Sequence, residues 1–195
     1  MKENPLISVV TPSYNQAQFI KDTLASVRNQ RYEPVEHIIA DGGSDDGTLD
    51  ILNQQDDTIR WISEDDDGQS DAINKGFTMA NGDIVGWLNS DDVYYDTRVL
   101  DRVVSYFHTL DASVVYGDMA LLDADSDILK FHLTPDFDYQ KLLRYCFIEQ
   151  PALFIGADAL EEERLDTDLA YVMDYEFWLR LARDNVFYHV DDVLA

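Results

Sequence analysis

The stretch DIVGWLNSDD, residues 83–92, carries an apolar run directly into two adjacent carboxylates, Asp91 and Asp92. Such a run, bounded by polar turn residues, is typical of a buried strand. Two carboxylates about 4 Å apart repel by roughly 4 kcal/mol at an effective dielectric near ~20, and a divalent cation reverses this repulsion. Because hard oxygen ligands favour Mg²⁺ or Mn²⁺, the pair predicts a metal site. The alternative is a helix N-cap, since residues Asp92 to Asp96 precede a helix predicted to begin near Thr97 and acidic residues there suit the helix dipole.

Strands and helices alternate on both sides of this stretch. Helices are recognised by one apolar stripe, as at Ile20, Leu24 and Val27. Apolar, β-branched runs predict strands at 6–11, 35–40, 58–62, 83–88 and 113–116, and the helices between them lie around 20–27, 70–79 and 100–107. Strands separated by helices are typical of parallel sheets, so we expect an α/β fold with a mostly parallel, Rossmann-like sheet flanked by helices.

The pattern changes after Asp118. Two strand-like stretches, 119–122 and 128–133, flank an Asp-rich segment and predict a small antiparallel hairpin as an extension of the sheet. A further short strand is expected at 153–155 and a last helix over about 174–183. No repeat, low-complexity tract or linker interrupts the chain. We therefore expect residues 1–195 to form a single domain.

The composition excludes several classes of protein. With 39 Asp and Glu against 14 Lys and Arg, the chain has a formal net charge of -25, which opposes binding to nucleic acid. No run approaches the 18 or more apolar residues of a membrane span, and the N-terminus does not resemble a signal peptide. The single Cys146 cannot form an internal disulfide and is interpreted as a small core residue. We expect a cytoplasmic protein, with peripheral contact to a membrane left open.

Three acidic segments follow predicted strands, where open α/β sheets bind their ligands. They are Asp41, the segment 65–71 and the pair at 91–92. The segment 123–127 resembles the start of an EF-hand calcium loop. Ile128 stands where such a loop needs Gly and Thr134 where it needs Glu, so a calcium site is not expected there. No G-x-G-x-x-G or P-loop pattern occurs, so a phosphate group would be held through a cation.

The last predicted helix places a carboxylate on its apolar face. Asp174 shares that face with Phe177, Trp178 and Leu181, at helical spacing. Two interpretations remain open for Asp174: a cap of the helix N-terminus, or a general base.

Five segments in order resemble family 2 glycosyltransferases, the inverting nucleotide-sugar transferases of GT-A fold. They are VVTPSYN at 9–15, IADGGSDDGT at 39–48, DGQSDAINKG at 67–76, WLNSDD at 87–92 and DYEFWLR at 174–180. The resemblance extends over nearly the whole chain. It implies a GT-A catalytic domain that moves a sugar from a nucleoside diphosphate to an acceptor hydroxyl in glycan or polysaccharide biosynthesis.

The resemblance also implies roles for single residues on the donor side. Pro12 and Tyr14 would line the nucleoside, and Asp41 would accept a hydrogen bond from the base. Asp92 would chiefly bind the metal, Mn²⁺ or Mg²⁺, and Asp91 would contact the ribose and the metal. The arrangement of Tyr14 and Asp41 resembles uracil sites, so a UDP-sugar is the expected donor.

Two further residues have implied roles. Asp71 lies in a stretch that resembles the donor-side helix of the family. Asp174 matches the general base, which would remove a proton from an acceptor hydroxyl. Because one displacement inverts the anomeric centre, no second nucleophilic carboxylate is needed.

Some positions depart from the family pattern. Asn89 stands where the first acid of a D-x-D motif is usual, and Met173 where Glu commonly precedes the base. The chain also ends soon after the expected last strand, so we expect C-terminal residues of the catalytic domain to be missing. These departures keep a second hypothesis open, a catalytically silent nucleotide-sugar binding module. A third, a nucleotidyltransferase, needs a Gly-rich basic loop, which Pro12-Ser13-Tyr14-Asn15 does not supply.

The acceptor side is expected in the later part of the chain, residues 118–168. The acceptor class is a glycan, a lipid-linked sugar or a small molecule. Tyr139, Tyr145, Phe147 and Phe154 could stack on sugar rings, but most of them are expected to fill the core.

Overall fold

The computed structural model describes residues 2–56, 58–124, 126–161 and 163–195. The strands are β1 (Ile7–Ser13), β2 (Val35–Asp41), β3 (Ile59–Ser63), β4 (Ile84–Trp87), β5 (Val114–Leu122), β6 (Ile128–His132), β7 (Leu153–Gly156) and β8 (Phe187–Val193). They form one mixed sheet at the centre of the fold, in the order β3-β2-β1-β4-β7-β5-β6, and β8 pairs with β5.

The helices cover both faces of this sheet. They are α1 (Ile20–Arg28), α2 (Thr48–Leu52), α3 (Gln69–Met79), α4 (Val99–Thr109), α5 (Tyr139–Leu142), α6 (Ala157–Leu160) and α7 (Met173–Asp184), with a 3₁₀ helix at Gln150–Ala152. None of the helices in the described ranges combines the length and apolar character that a bilayer crossing requires.

The core forms on both sides of the central strands because alternate residues of a strand point to opposite faces. In β1, Val10 packs in a cluster with α3 and α7, whereas Ile7 and Val9 pack in a second cluster with α4. All seven residues of β1 are buried. A strand covered on both faces reads as a continuous apolar run, which explains why the sequence pattern located it.

The first four strands are all parallel, and their register brings their ends to one edge. Ser13 of β1 pairs with Asp41 of β2, and Asp41 pairs with Ser63 of β3. β4 runs parallel to β1 and ends at Trp87. The four loops that follow these strands therefore start side by side.

The structure confirms the expected α/β architecture and the antiparallel pairing of β5 with β6. One strand boundary was wrong, and a short helix was not predicted. The stretches 113–116 and 119–122 belong to one strand, β5, because Gly117 lets the backbone of β8 approach closely and no turn intervenes. The short α2 was not predicted, since five residues are too few to show an apolar stripe.

Some predictions about side chains also change. Cys146 is exposed rather than a core residue, because it lies in the loop between α5 and the 3₁₀ helix. Phe147 and Phe154 are buried as expected, but Tyr145 is half exposed. The predicted calcium-like segment includes Asp125, which lies outside the described residues.

His37, in the middle of β2, is a buried histidine, and we expect it to make the protein less stable in acid. Its Nε2 lies 2.9 Å from Thr11 Oγ1, and the side chain is buried. Burial, and after it the positive charge of Arg28, lowers the pKa of His37 to about 3. The unfolded chain takes up this proton near pH ~6.5 but the native state does not, so stability present above that pH is lost as the pH falls.

We expect wild type to lose about 2 kcal/mol more of its unfolding free energy than His37→Gln between pH ~7 and pH ~5. Urea unfolding of both proteins at the two pH values measures this difference. Equal losses would show that His37 is not held neutral.

Candidate functional site

An open cleft of about 900 Å³ lies where the loops after β1, β2, β3 and β4 meet. Its walls come from four separated parts of the chain, which the parallel register brings together. The lining residues are Pro12, Ser13, Tyr14, Gln16, Gly42, Asp65, Asp66, Gly68, Gln69, Ala72, Asn89, Ser90 and Asp91. Open α/β sheets bind ligands at this edge, so the cleft is the candidate active site.

Tyr14 presents a free aromatic ring to this cleft. The residue is 61% exposed, in contrast to the buried Pro12 and Ser13 that precede it. The turn after it is fixed by Asn15, which adopts a positive φ of 54°. The backbone N–H of Asn15 donates to Ser44 Oγ, and the side-chain oxygen of Asn15 accepts from the backbone N–H of Asp45. Tyr14 is therefore a solvent-facing platform on a backbone held by the neighbouring loop.

Asp41 is buried beneath the cleft and is not part of its lining. One carboxylate oxygen accepts from the N–H groups of Gly43 and Ser44 and from Ser63 Oγ, and the other accepts from Ser44 Oγ. These bonds hold the turn after β2 in shape. The predicted contact with a base stays a prediction, since most acceptor positions of Asp41 are already used.

Asp91 and Asp92 lie in the loop that follows β4. Asp91 is exposed in the cleft and Asp92 is partly buried behind it. Burial, and after it the charge of Asp91, raises the pKa of Asp92 to about 6. The backbone here is tied to α1, because the single hydroxyl hydrogen of Thr23 Oγ1 is shared between the carbonyl oxygens of Ser90 and Asp92, both at 2.9 Å.

The interpretation of Asp92 as a helix cap is wrong. Helix α4 begins at Val99, and its N-cap residue, Arg98, makes no side-chain capping bond. Asp96 instead accepts from the Arg98 N–H at 2.7 Å, within the turn before the helix. The Asp91–Asp92 pair is therefore free of a capping role.

Asp71 lies on the first turn of α3, outside the cleft lining. Its carboxylate pairs with Lys75 at 3.1 Å, and Lys75 also pairs with Glu64 at 3.1 Å. The Asp67 N–H donates weakly to Asp71 at 3.3 Å. These contacts fasten the acidic loop after β3 to α3. Its predicted contact with the donor stays a prediction.

Helix α3 reaches the cleft because it packs closely on the sheet. A Cβ at Gly76 would overlap the Val10 side chain of β1, so the glycine permits the close approach. The N-terminal end of the helix then places Gly68, Gln69 and Ala72 in the wall.

Asp174 lies in the first turn of α7 and is partly buried. The helix begins at Met173 with Val172 as its N-cap, so the capping interpretation of Asp174 is wrong. Within the described ranges, its carboxylate has no hydrogen bond or ion pair. Partial burial of the sulfur, assisted by the charges of Asp174 and Glu149, raises the pKa of the Cys146 thiol, although the residue as a whole is exposed. The charge of Asp174 thus acts on the loop that leads into the 3₁₀ helix at Gln150–Ala152.

An aromatic contact joins this helix to the strand that carries the carboxylate pair. Trp178 of α7 is fully buried, and its ring centroid lies 6.3 Å from that of Trp87 at the end of β4. Asp174 and Trp178 are one turn apart on the same helix. The predicted base and the predicted metal site thus belong to one packed unit.

A set of side-chain amides in this unit was not predicted as functional. Asn89 contacts Gln69 of α3, Gln150 of the 3₁₀ helix and Asp92. Gln150 Nε2 donates to the Trp87 carbonyl oxygen at 2.5 Å. The available signal was the polar Gln150 between apolar runs, but its partner lies 61 residues away in sequence.

The carboxylate oxygens of Asp91 and Asp92 suit a hard divalent cation whose remaining ligands come from a substrate. Within the described part of the chain, no three His, Cys, Asp or Glu side chains form a metal cage. Asp91 and Asp92 provide adjacent carboxylates, and Mg²⁺ is commonly bound by one or two carboxylates with substrate phosphates and water.

Comparisons with known proteins agree with this architecture. The family description "Glycosyl transferase family 2" matches residues 8–157. The chain is 28% identical over 212 residues to an uncharacterized glycosyltransferase of Rickettsia typhi, covering 100% of this chain and 65% of that protein. It is 28% identical over 182 residues to Escherichia coli WfgD, named a UDP-Glc:alpha-D-GlcNAc-diphosphoundecaprenol beta-1,3-glucosyltransferase, covering 92% and 71% of the two chains.

Solved structures share the fold. TarS of S. aureus in complex with UDP-GlcNAc superposes with a TM-score of 0.81 at 16% identity, over 96% of this chain and 57% of that chain. A mannosyltransferase of Pyrobaculum calidifontis in complex with GDP-Man and Mn²⁺ has a TM-score of 0.75 at 19% identity, over 99% and 57%. The residues that match the family, 8–157, include most of the sheet and all four strand ends that form the cleft. This chain belongs to glycosyl transferase family 2.

Proposed function

We propose that this chain is the catalytic domain of a metal-dependent, inverting glycosyltransferase that uses a nucleoside-diphosphate sugar. The observation that carries the proposal is the cleft itself, whose lining contains both the free ring of Tyr14 and the carboxylate of Asp91. A cleft of about 900 Å³ has room for a ligand of nucleotide-sugar size.

The nucleoside belongs at the Tyr14 wall, where an exposed ring offers a stacking surface for a base. Pro12 lines the same wall, and Asp41 holds the adjoining turn. We propose UDP as the nucleotide, supported by the donors in the names of WfgD and of the TarS complex. The Pyrobaculum enzyme binds GDP-Man, which makes GDP the first competing nucleotide to test.

Asp92, with Asp91, would hold Mn²⁺ or Mg²⁺ between the protein and the donor diphosphate. When bound, such a cation stabilises the negative charge that develops on the leaving diphosphate. The Pyrobaculum complex with Mn²⁺ supports this assignment. Among the described residues, no Lys or Arg side chain lines the cleft, whose charged members are Asp65, Asp66 and Asp91.

Asp174 would act as the general base. Its carboxylate removes the proton of an acceptor hydroxyl while that oxygen attacks the anomeric carbon. The bond from the anomeric carbon to the diphosphate oxygen breaks on the opposite face, so the configuration inverts in one displacement. A carboxylate without a hydrogen bond or ion pair within the described chain is available to accept a proton.

The acceptor belongs near the second half of the chain. A cavity of about 570 Å³ opens beside Cys146 and Glu149, in the loop on which the charge of Asp174 acts. Lys130, Lys141 and the half-exposed Tyr145 also line it. We propose a glycan, lipid-linked or small-molecule acceptor here, and the acceptor in the name of WfgD makes the lipid-linked class the first to test.

Calorimetric titration with UDP, in the presence and absence of Mn²⁺, tests this function. We expect binding that depends on Mn²⁺ and is weaker for GDP and dTDP. Absence of binding to all three nucleotides would contradict the proposal. Binding without transfer to a panel of acceptors would favour the alternative of a catalytically silent module.

A further inference from the structure

The side-chain amide of Asn89 uses all four of its hydrogen-bonding positions. Its Oδ1 accepts from Trp87 Nε1 at 2.9 Å and from Gln69 Nε2 at 3.0 Å. Its Nδ2 donates to Asp92 Oδ2 at 3.1 Å and to Gln150 Oε1 at 2.8 Å. An amide has two acceptor lone pairs and two N–H donors, so none remains unused.

The partners of Asn89 determine which of its two polar side-chain atoms must accept hydrogen bonds and which must donate them. The indole of Trp87 is only a donor, so residue 89 must accept from it. Nε2 of Gln150 donates to the Trp87 carbonyl oxygen, so the Oε1 of Gln150 is the atom that accepts from Asn89. The carboxylate of Asp92 is also an acceptor when ionised. Residue 89 must therefore accept on one side and donate on the other, which a carboxylate cannot do.

The bonds of Asn89 also join three separate elements. Gln69 is the first residue of α3, Gln150 begins the 3₁₀ helix, and Asp92 follows β4. Asn89 and Gln69 both line the cleft. The amide thus joins the wall of the cleft to the 3₁₀ helix at Gln150–Ala152.

We propose that Asn89 is a positioning residue whose amide orients the Asp92 carboxylate and ties it to Gln150. This inference rests on the proposed function, because Asp92 matters only where a cation and a donor diphosphate bind. The site then needs an amide at position 89 to orient Asp92, and a carboxylate at this position would disturb that orientation. Restoring the acid that the family pattern usually has should weaken, not strengthen, binding of the donor.

Calorimetry with UDP in excess Mn²⁺ tests the prediction. We expect Asn89→Asp to bind UDP about 10- to 100-fold more weakly than wild type, the usual effect of removing a group that orients a metal ligand. Asn53→Asp is the matched control, since Asn53 is exposed and its side-chain amide donates to the Leu49 carbonyl oxygen within its own helical turn. It adds the same charge and should leave the affinity unchanged. Unchanged or tighter binding by Asn89→Asp would overturn the proposal.

Nuclear magnetic resonance of the ligand-free protein supplies a readout that does not need a nucleotide. The chain has three Trp residues, and Trp87→Phe identifies the indole N–H signal of Trp87. Asn89→Ala should shift this signal, because the acceptor is lost. Asn89→Asp should shift it less but displace the side-chain amide signals of Gln150, whose acceptor would face a carboxylate.

The two readouts separate the inference from the function on which it rests. If wild type binds no nucleotide, the proposed function fails, while the indole and amide signals still decide whether the network exists. A Trp87 signal that does not move in Asn89→Ala would overturn the inference. Thermal unfolding of each variant shows that the fold is retained.

Discussion

Replacement of Asp174 by asparagine is expected to lower the rate of sugar transfer by about 10²- to 10⁴-fold, the usual contribution of a general base. The amide keeps the size of the side chain but cannot accept the hydroxyl proton. Because Asp174 does not line the donor cleft, the affinity for UDP with Mn²⁺ should stay within about twofold of wild type, well inside 1.4 kcal/mol. Transfer is measured as release of UDP from the donor in the presence of acceptor.

Asp184→Asn is the matched control for this variant. Asp184 is exposed at the other end of α7, about 15 Å from Asp174 at ~1.5 Å per residue. It removes the same charge from the same helix and should leave transfer unchanged. Full activity in Asp174→Asn would remove this residue from the reaction.

The second large effect is expected for Asp92→Asn. Asparagine retains an oxygen that can accept from Asn89, but it lacks the charge that a cation needs. We expect turnover to fall by about 10²- to 10³-fold, as when one group that stabilises developing charge is removed. The affinity for UDP should fall in the presence of Mn²⁺ and should not change in its absence. Calorimetry with and without Mn²⁺, beside the turnover assay, measures both.

Asp111→Asn provides the comparison for the loss of one carboxylate. Asp111 is exposed before the start of β5, at the edge of the sheet opposite the cleft. It should behave as wild type in both assays. If Asp92→Asn kept the Mn²⁺ dependence of wild type, the assignment of the cation to Asp92 would be wrong.

The parallel half of the fold could be predicted because its strands are buried on both faces. Ile7–Ser13 and Val35–Asp41 appear as apolar runs, and α4 shows a full stripe of buried residues on one face. Register then follows from the fold class, and it places Asp41 and the loop of Asp91 at one edge. The location of the cleft was therefore accessible from periodicity alone.

The contacts inside the site could not be predicted in the same way. The burial of Asp41 under its own turn depends on Ser63, which is 22 residues away in sequence. The amide network depends on Gln150, which reaches Asn89 only because β7 follows it and pairs with β4. Neither arrangement produces a periodic pattern, since single polar residues are positioned by the packing of distant elements.

The position of Cys146 shows the same limit. A lone cysteine among apolar residues favours a core position, and its neighbours Phe147 and Ile148 are indeed buried. The loop before the 3₁₀ helix turns Cys146 outwards, with its Sγ 3.6 Å from the Ile148 carbonyl oxygen. Local composition cannot distinguish these two outcomes when no helix or strand sets the direction of the side chain.

The most direct test of the metal-dependent donor site is a crystal grown with UDP and Mn²⁺ and measured at the manganese absorption edge. The account predicts an anomalous peak within about 2.5 Å of an Asp92 carboxylate oxygen, with the diphosphate on the same ion and the base against Tyr14. A bound nucleotide with no manganese beside Asp91 or Asp92, or manganese bound elsewhere in the chain, would contradict it.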